Sequence, residues 1–386
     1  MPDERELLAK ASSPVEGADT REPVDRPEAG IALCLSGGGY RAMLFHAGAL
    51  WRLNELAFLP RLDRISSVSG GSITAGLLGL KWGRLAFDGG VARKLVEEVI
   101  EPLRRLAGRT IDAESIIGGV FLPGSVADRV ADVYDEALFG GATLQDLPDD
   151  PPRFVINATN VQSGALWRFM KPYMRDYRVG EVRRPRVRLA VAVAASSAFP
   201  PVLSPLRLSV DADAYSPPAD EPLHREPFTT HVVLTDGGVY DNLGLETAWK
   251  RYQMILVSDA GGQMAAEEEP KSDWARHAVR VLDLVDNQVR SLRKRQLLDS
   301  LTLGIRSGAY WGIRTDIAEY PRVGLPCPHA RSMEVAQVKT RLKRLDPAWQ
   351  ERLINWGYAV CDAAMRSYVV RDPLPRAAFP YPETAV

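Results

Sequence analysis

Ile31-Ala32-Leu33-Cys34-Leu35-Ser36-Gly37-Gly38-Gly39-Tyr40-Arg41-Ala42 passes abruptly from an unbroken apolar run to a glycine triplet. A short run with no polar alternation is what a strand buried on both faces shows. The triplet breaks it, and Met43, Ala47 and Leu50, with Leu44 and Trp51 beside them, then recur at helical spacing. This predicts a helix over about 40–56 with a broad buried side. The same unit follows at once: a strand over Ile65–Val68, a turn at Ser69, and a helix from Gly70 through Ile73, Leu77 and Leu80. Two successive strand–turn–helix units predict an α/β fold, a parallel sheet with helices packed on it.

Working outward, Phe154–Ile156, Leu189–Val193, Val232–Leu234 and Met254–Val257 read as further strands. Ser125-Val-Ala-Asp128 reads as a helix N-cap followed by an acid three positions on. Val126, Val130, Val133 and Leu138 continue that helix until Gly140-Gly141 ends it. Several prolines and charges between Ser204 and Phe228 predict a surface excursion. A helix over about 275–297 aligns Val281, Leu284, Val285, Val289 and Leu292. Asp283 and Asp286 on its polar face favour an ordinary domain helix, apolar side inward, over a membrane-surface helix. Residues 1–28 are polar and proline-bearing and read as a flexible arm, 29–372 as one domain, and 373–386 as a proline-rich tail. Within the domain the recognisable core covers about 30–260, with helical decoration over about 270–372.

Composition bounds the function. The net charge of -1 argues against nucleic acid as a partner. Three cysteines without a CxxC pair suit a reducing compartment better than a disulfide framework. No apolar run reaches the roughly 18–20 residues that span a bilayer, and no signal peptide is visible at Met1. The expectation is a cytoplasmic or membrane-peripheral protein.

Three segments carry chemistry. Ser67-Val68-Ser69-Gly70-Gly71 places the Ser69 hydroxyl on a sharp strand-to-helix bend. Such an elbow wants tiny side chains two residues to either side; Gly71 complies, and Ser67 stands where glycine is usual. Gly37, Gly38 and Gly39 can aim unobstructed N–H groups at one oxyanion. The same residues, as Gly37-x-Gly39-x-x-Ala42, also fit a dinucleotide fingerprint, with Asp63 roughly at the distance of its ribose acid but ahead of the second strand. The glycines alone leave both readings open. Asp236-Gly237-Gly238 would emerge at a strand end, where a tight Asp-Gly turn is the plainer alternative. None of the five histidines makes an obvious base: His46 falls inside the first helix, and His224, His231, His277 and His329 lack a supporting acid.

Taken together and in order, Gly37-Gly38-Gly39-Tyr40-Arg41-Ala42, Ser67-Val68-Ser69-Gly70-Gly71 and Asp236-Gly237-Gly238 resemble the three motifs of the patatin-like phospholipase family. Asn157-Ala-Thr-Asn160 with Ser163-Gly164, and Ala195-Ser-Ser-Ala-Phe-Pro200, resemble its connecting segments. The resemblance implies a patatin-like three-layer α/β fold, its central sheet mostly parallel with helices on both faces, and a serine carboxylic-ester hydrolase acting on phospholipids or related lipids. Ser69 would be the nucleophile and Asp236 its sole base. The glycine triplet, chiefly Gly38 and Gly39, would form the oxyanion hole, with Arg41, Gly71, Gly237 and Gly238 in supporting places and Arg41 either structural or anion-binding. No cofactor or metal is implied, and the partner is a lipid or lipid aggregate, with any membrane contact peripheral. An unperturbed aspartate titrates near ~3.9, so activity is expected to fall only below about pH 6. Two other classes compete: a nucleotide-binding protein using the glycine loop, and a catalytically silent interaction protein.

Overall fold

The apolar run quoted first becomes the centre of a sheet. The protein is described by a computed structural model covering residues 27–111, 125–216, 223–371 and 373–386. The arm expected over 1–28 lies, up to residue 26, outside the described residues. β1 (Glu28–Leu35) leads into α1 (Gly39–Glu55), and β2 (Arg64–Val68) into α2 (Gly70–Lys81). The two strands pair in parallel, from Ala32 against Arg64 to Leu35 against Ser67. α3 (Val126–Tyr134) opens on the expected capping box: Ser125 accepts from the Asp128 N–H, and the Asp128 carboxylate accepts from the Ser125 N–H. It runs on through a wider π-helical turn, Asp135–Phe139, that stops at Gly140 in the left-handed conformation.

β3 (Arg153–Asn160) adds to β2 in parallel and then begins an antiparallel meander: β4 (Ala165–Phe169), β5 (Tyr173–Asp176) and β6 (Gly180–Arg183). Leu189–Val193, expected as a strand, is instead α4 (Leu189–Ser196). A uniformly apolar run carries no period, so burial alone cannot separate strand from helix. Four alanines and burial on nearly every side settle it as helix. The excursion expected after Ser204 holds β7 (Leu206–Ser209) and β8 (Tyr215–Ser216), which extend the sheet by pairing with β9 (His231–Asp236) and with β6. Next come α5 (Gly238–Asp241), β10 (Tyr252–Asp259), α6 (Trp274–Thr302), β11 (Ser307–Gly312) and α7 (Pro347–Tyr368).

Across the parallel centre the order is β3-β2-β1-β10-β11, with β4, β5, β6 and β8 running outward from β3. Side chains alternate across it. Leu33 and Leu35 face the main core with α1, α2, α4 and α7, whereas Ala32 and Cys34 face a smaller one with Trp249 and with Leu297 of α6. Helices on both faces of a mixed sheet that is parallel in its centre make the expected three layers.

α7 lies along α1 at very short range: a Cβ on Gly48 would strike the Ile354 carbonyl, and one on Gly357 that of Phe45. The two helices are pinned by the fully buried Arg52, whose guanidinium meets Asp362 at 2.8 Å and donates to the Pro375 carbonyl at 2.7 Å. The proline-rich segment after 373 is tied back onto α7 through Asn355, which donates to the carbonyls of Tyr381 and Ala385. Cys34, Cys327 and Cys361 are buried and unpaired. Among the described residues no helix is long and apolar enough to cross a membrane.

Candidate active site

β3 brings the elbow and the aspartate together. On one edge its residue Asn157 pairs with Val68, the last residue of β2. On the same edge the next residue, Ala158, pairs with Asp236, the last residue of β9. β2 and β9 run in opposite senses and therefore meet tip to tip. Ser69, one residue beyond one tip, meets Asp236 at the other, its hydroxyl near enough to favour the ionised Asp236 carboxylate.

Ser69 holds φ of 52°, a left-handed conformation uncommon outside glycine. Its N–H donates to Ser196 Oγ (2.9 Å), which in turn donates to the Asn157 carbonyl. Asn157 Nδ2 donates to the Ser67 carbonyl (2.9 Å) and to Ser66 Oγ. Ser67, the residue in the place of the usual elbow glycine, turns its hydroxyl into the sheet. It donates to the Val155 carbonyl and accepts from Ser72, so the bend tolerates it. A Cβ on Gly70 would collide with the Gly39 backbone, and one on Gly71 with the Leu35 and Ser36 carbonyls; the elbow is pressed directly against the glycine loop.

The triplet does not offer its N–H groups equally. That of Gly37 donates to the Asn242 carbonyl at 3.1 Å, whereas among the described residues those of Gly38 and Gly39 have no acceptor. Gly39 stands at φ +59° with the Arg341 backbone 2.7 Å from where a Cβ would be. Arg41, left open between structural and anion-binding, spends its donors on carbonyls: Nε and Nη2 on Ala260, Nη1 on Val338. It fastens the loop to the end of β10 and to the segment before Arg341. Burial, with the Arg314 and Arg290 charges, lowers its pKa to about 10.

Asp236 is buried, and burial pushes its pKa up to about 7. The Gly238 N–H (2.6 Å) and the Ser69 hydroxyl pull it down, while the charge of Asp286 on α6 pushes it up further. Desolvation outweighs the hydrogen bonds, which moves the anticipated acid limb from below pH 6 to near 7. The aspartate loop is braced from α4: the Asp236 N–H donates to Ala198 and that of Gly237 to Ser196. Gly237 packs on the Asn157 carbonyl and Gly238 on the Asn242 side chain. Ser196, Asn157 and Asn242 were not singled out from the sequence as site residues, although two of them lie in segments that carried the family resemblance.

No histidine is among the groups that bond to Asp236 or shift it. His46 is buried with both nitrogens engaged. Nε2–H donates to the Ser36 carbonyl, and Nδ1 accepts from Ser258, which itself accepts from Trp311 Nε1. Burial lowers its pKa to about 4 and keeps it neutral. Asp63 accepts from the Ile31 N–H at 2.8 Å ahead of β2, a position from which it cannot serve a dinucleotide at the strand ends. Among the described residues no cluster of His, Cys, Asp and Glu could hold a metal ion.

Solved structures similar in fold include human GIVD cytosolic phospholipase A2, with a TM-score of 0.51 and 13% identity over 93% of this chain. The same human protein in complex with methyl gamma-linolenyl fluorophosphonate gives 0.51 and 15%. The chain spans 62% of the first of these and 61% of the second. Among curated proteins none matches the sequence. The patatin-like phospholipase family profile matches residues 33–249, more than half of the chain and all three motifs. The chain belongs to the patatin-like phospholipase family.

Proposed function

We propose that the protein is a lipid acyl hydrolase that cleaves carboxylic esters with Ser69 as nucleophile and Asp236 as its only base. The observation that carries this is the meeting of two strand tips that sets the Ser69 hydroxyl beside the buried Asp236 carboxylate, with no histidine among the groups that act on that carboxylate. Asp236 takes the hydroxyl proton as Ser69 attacks the ester carbonyl, forming a tetrahedral oxyanion. The unengaged N–H groups of Gly38 and Gly39 stabilise that oxyanion. Collapse expels the alcohol, protonated by Asp236, and leaves an acyl-enzyme. Water, deprotonated by Asp236, then releases the fatty acid and restores the serine. A base with a pKa near 7 is suited to proton transfer at neutral pH, so the burial that perturbs Asp236 serves the chemistry. Family membership supports a phospholipid or related lipid as substrate.

A fluorophosphonate probe is expected to label Ser69 alone, read by intact mass and peptide mapping. Ser69→Ala is expected to lower turnover of a phospholipid by on the order of 10⁴-fold or more. A label on another serine, or residual turnover near wild type in Ser69→Ala, defeats the assignment.

A further inference from the structure

His46 is a polar side chain set deep among apolar neighbours on α1, and the reaction proposed above gives it no part. It is fully buried, as are Ser36, Ser258 and Trp311 around it. Burying an imidazole costs stability unless both ring nitrogens find partners. Both do. Nε2 lies 2.9 Å from the Ser36 carbonyl oxygen and Nδ1 2.8 Å from Ser258 Oγ, which itself lies 2.9 Å from Trp311 Nε1. The end groups set the proton arrangement. The indole N–H only donates and the carbonyl only accepts, so Nε2 carries the ring proton, and Ser258 accepts from Trp311 and donates to Nδ1. Donation runs one way, from Trp311 through Ser258 and His46 to the Ser36 carbonyl. Ser258 stands in register between Leu35 and Trp311, so this chain of donors crosses the sheet from β11 to the end of β1.

The carbonyl at its end belongs to the peptide that opens the glycine loop. That peptide is held on both sides, since its N–H, that of Gly37, donates to the Asn242 carbonyl at 3.1 Å. Ser36 is tied to β10 as well: its N–H donates to the Ser258 carbonyl, and its Oγ accepts from the Ala260 N–H at 2.8 Å. The next two peptides carry the N–H groups of Gly38 and Gly39 and have glycine on both sides. No side chain limits their rotation, and Gly38 and Gly39 stand at φ of 145° and 59°. The direction of those N–H groups is therefore set by how the loop is fixed before them and how α1 is fixed after them. His46 acts on both, because it sits about two turns along α1 from Gly39 and holds the first carbonyl of the loop.

We infer that His46 is a positioning residue for the oxyanion hole: by donating from Nε2 to the Ser36 carbonyl it holds the glycine loop in the shape that turns the Gly38 and Gly39 N–H groups toward the substrate oxygen. It touches no reacting atom and takes up no proton during the reaction. The inference rests on the hydrolase reading for its purpose, but the hold on the loop is measurable without turnover. Ser258 and Trp311, which fix the His46 tautomer, lie outside the family-matched residues 33–249, so the loop is set in part by strands beyond that match.

The test compares His46→Phe, which keeps a ring but makes neither bond, with His46→Gln, whose amide N–H can take over the donation to Ser36. The substrates are an oxoester and the matching thionoester, whose sulfur is a weak acceptor and draws little from an oxyanion hole. His46→Phe is expected to lower kcat on the oxoester by about a hundredfold at unchanged KM, the scale of one lost oxyanion donor, and on the thionoester by less than about tenfold. His46→Gln is expected to recover roughly tenfold of that loss. Backbone amide exchange over residues 31–41, read by mass spectrometry, is expected to quicken in His46→Phe and to stay unchanged over α2. Where melting curves show that His46→Phe does not fold, Ser258→Ala, which removes the hydroxyl that fixes the tautomer, carries the same comparisons. Wild-type turnover by a folded His46→Phe, equal losses on the two esters, no rescue by glutamine, or loop exchange no faster than wild type each overturn the inference. A wild type inert on both esters, with loop exchange that still depends on His46, defeats the hydrolase reading instead, so the two failures are distinguishable.

Discussion

Asp236→Asn is expected to abolish turnover and, above neutral pH, to stabilise the fold. The carboxylate ordinarily titrates near 3.8, and burial in the native site pushes it to about 7. Between those values the native protein holds a proton that the unfolded chain has already lost. Stability therefore falls as pH rises through that window and is fully reduced above about 7. At about 1.4 kcal/mol per pH unit, a window of about 3 units corresponds to about 4 kcal/mol carried as a penalty at pH 8. Asparagine is nearly the same shape and never ionises. Its Oδ1 still accepts from the Gly238 N–H, and its Nδ2 donates to the Ser69 oxygen, where the carboxylate had accepted. Urea unfolding followed by circular dichroism at pH 4, 6 and 8 reads the difference directly. The variant should gain up to about 4 kcal/mol at pH 8, less at pH 6, and nearly nothing at pH 4. A variant no more stable than wild type at pH 8, or stabilised equally at every pH, would refute the claim that an ionised, desolvated Asp236 is the group at issue.

The acid limb of kcat/KM for a non-ionising ester is expected near pH 7, activity rising as Asp236 ionises. A limb below pH 5 would mean that hydrogen bonds outweigh burial at this carboxylate. Gly39→Val is expected to lose both fold and activity, since φ +59° and the Arg341 backbone leave no room for a branched side chain; a melting curve like that of wild type with normal turnover removes the loop from catalysis. Asp362→Ala removes the fully buried one of the two carboxylates on Arg52, leaving only partly exposed Glu55, and should cost about 3–5 kcal/mol in urea unfolding. A loss under 1 kcal/mol would mean that Glu55 and the Pro375 carbonyl satisfy the guanidinium alone.

The parallel centre was legible because Ile31–Leu35 and Ile65–Val68 are apolar runs closed by glycine or serine turns, a signal that local chemistry writes directly into the chain. Ser69 was legible for the same reason. Its contact with Asp236 was not, because nothing local to either segment shows that β2 and β9 share one edge of β3. Leu189–Val193 misled because its burial is total and burial has no direction. α6 misled in the opposite way: the apolar residues expected to pack inward, Val281, Leu284, Val285 and Leu292, are exposed, while Arg293 turns inward to Asp241 and Glu246, partners that sequence distance hides. Val338 and Arg341 stayed invisible as neighbours of the glycine loop, since they contribute backbone carbonyls, which any residue carries.

The near-contact of α1 with α7 has a consequence for the order of events during synthesis. The glycine loop and α1 leave the ribosome well before the helix that fills the groove along Gly48 and the Asp362 that pairs with Arg52. A nascent chain that has not yet reached residue 347 carries an α1 whose apolar flank has no counterpart and whose Arg52 has only Glu55 of the same helix to pair with. Such a surface is a natural target for chaperones. The glycine loop at the head of that helix, held by the Val338 and Arg341 carbonyls, takes its final shape only after those residues have emerged. On the proposed reading, lipid-cleaving activity appears only when α7 docks.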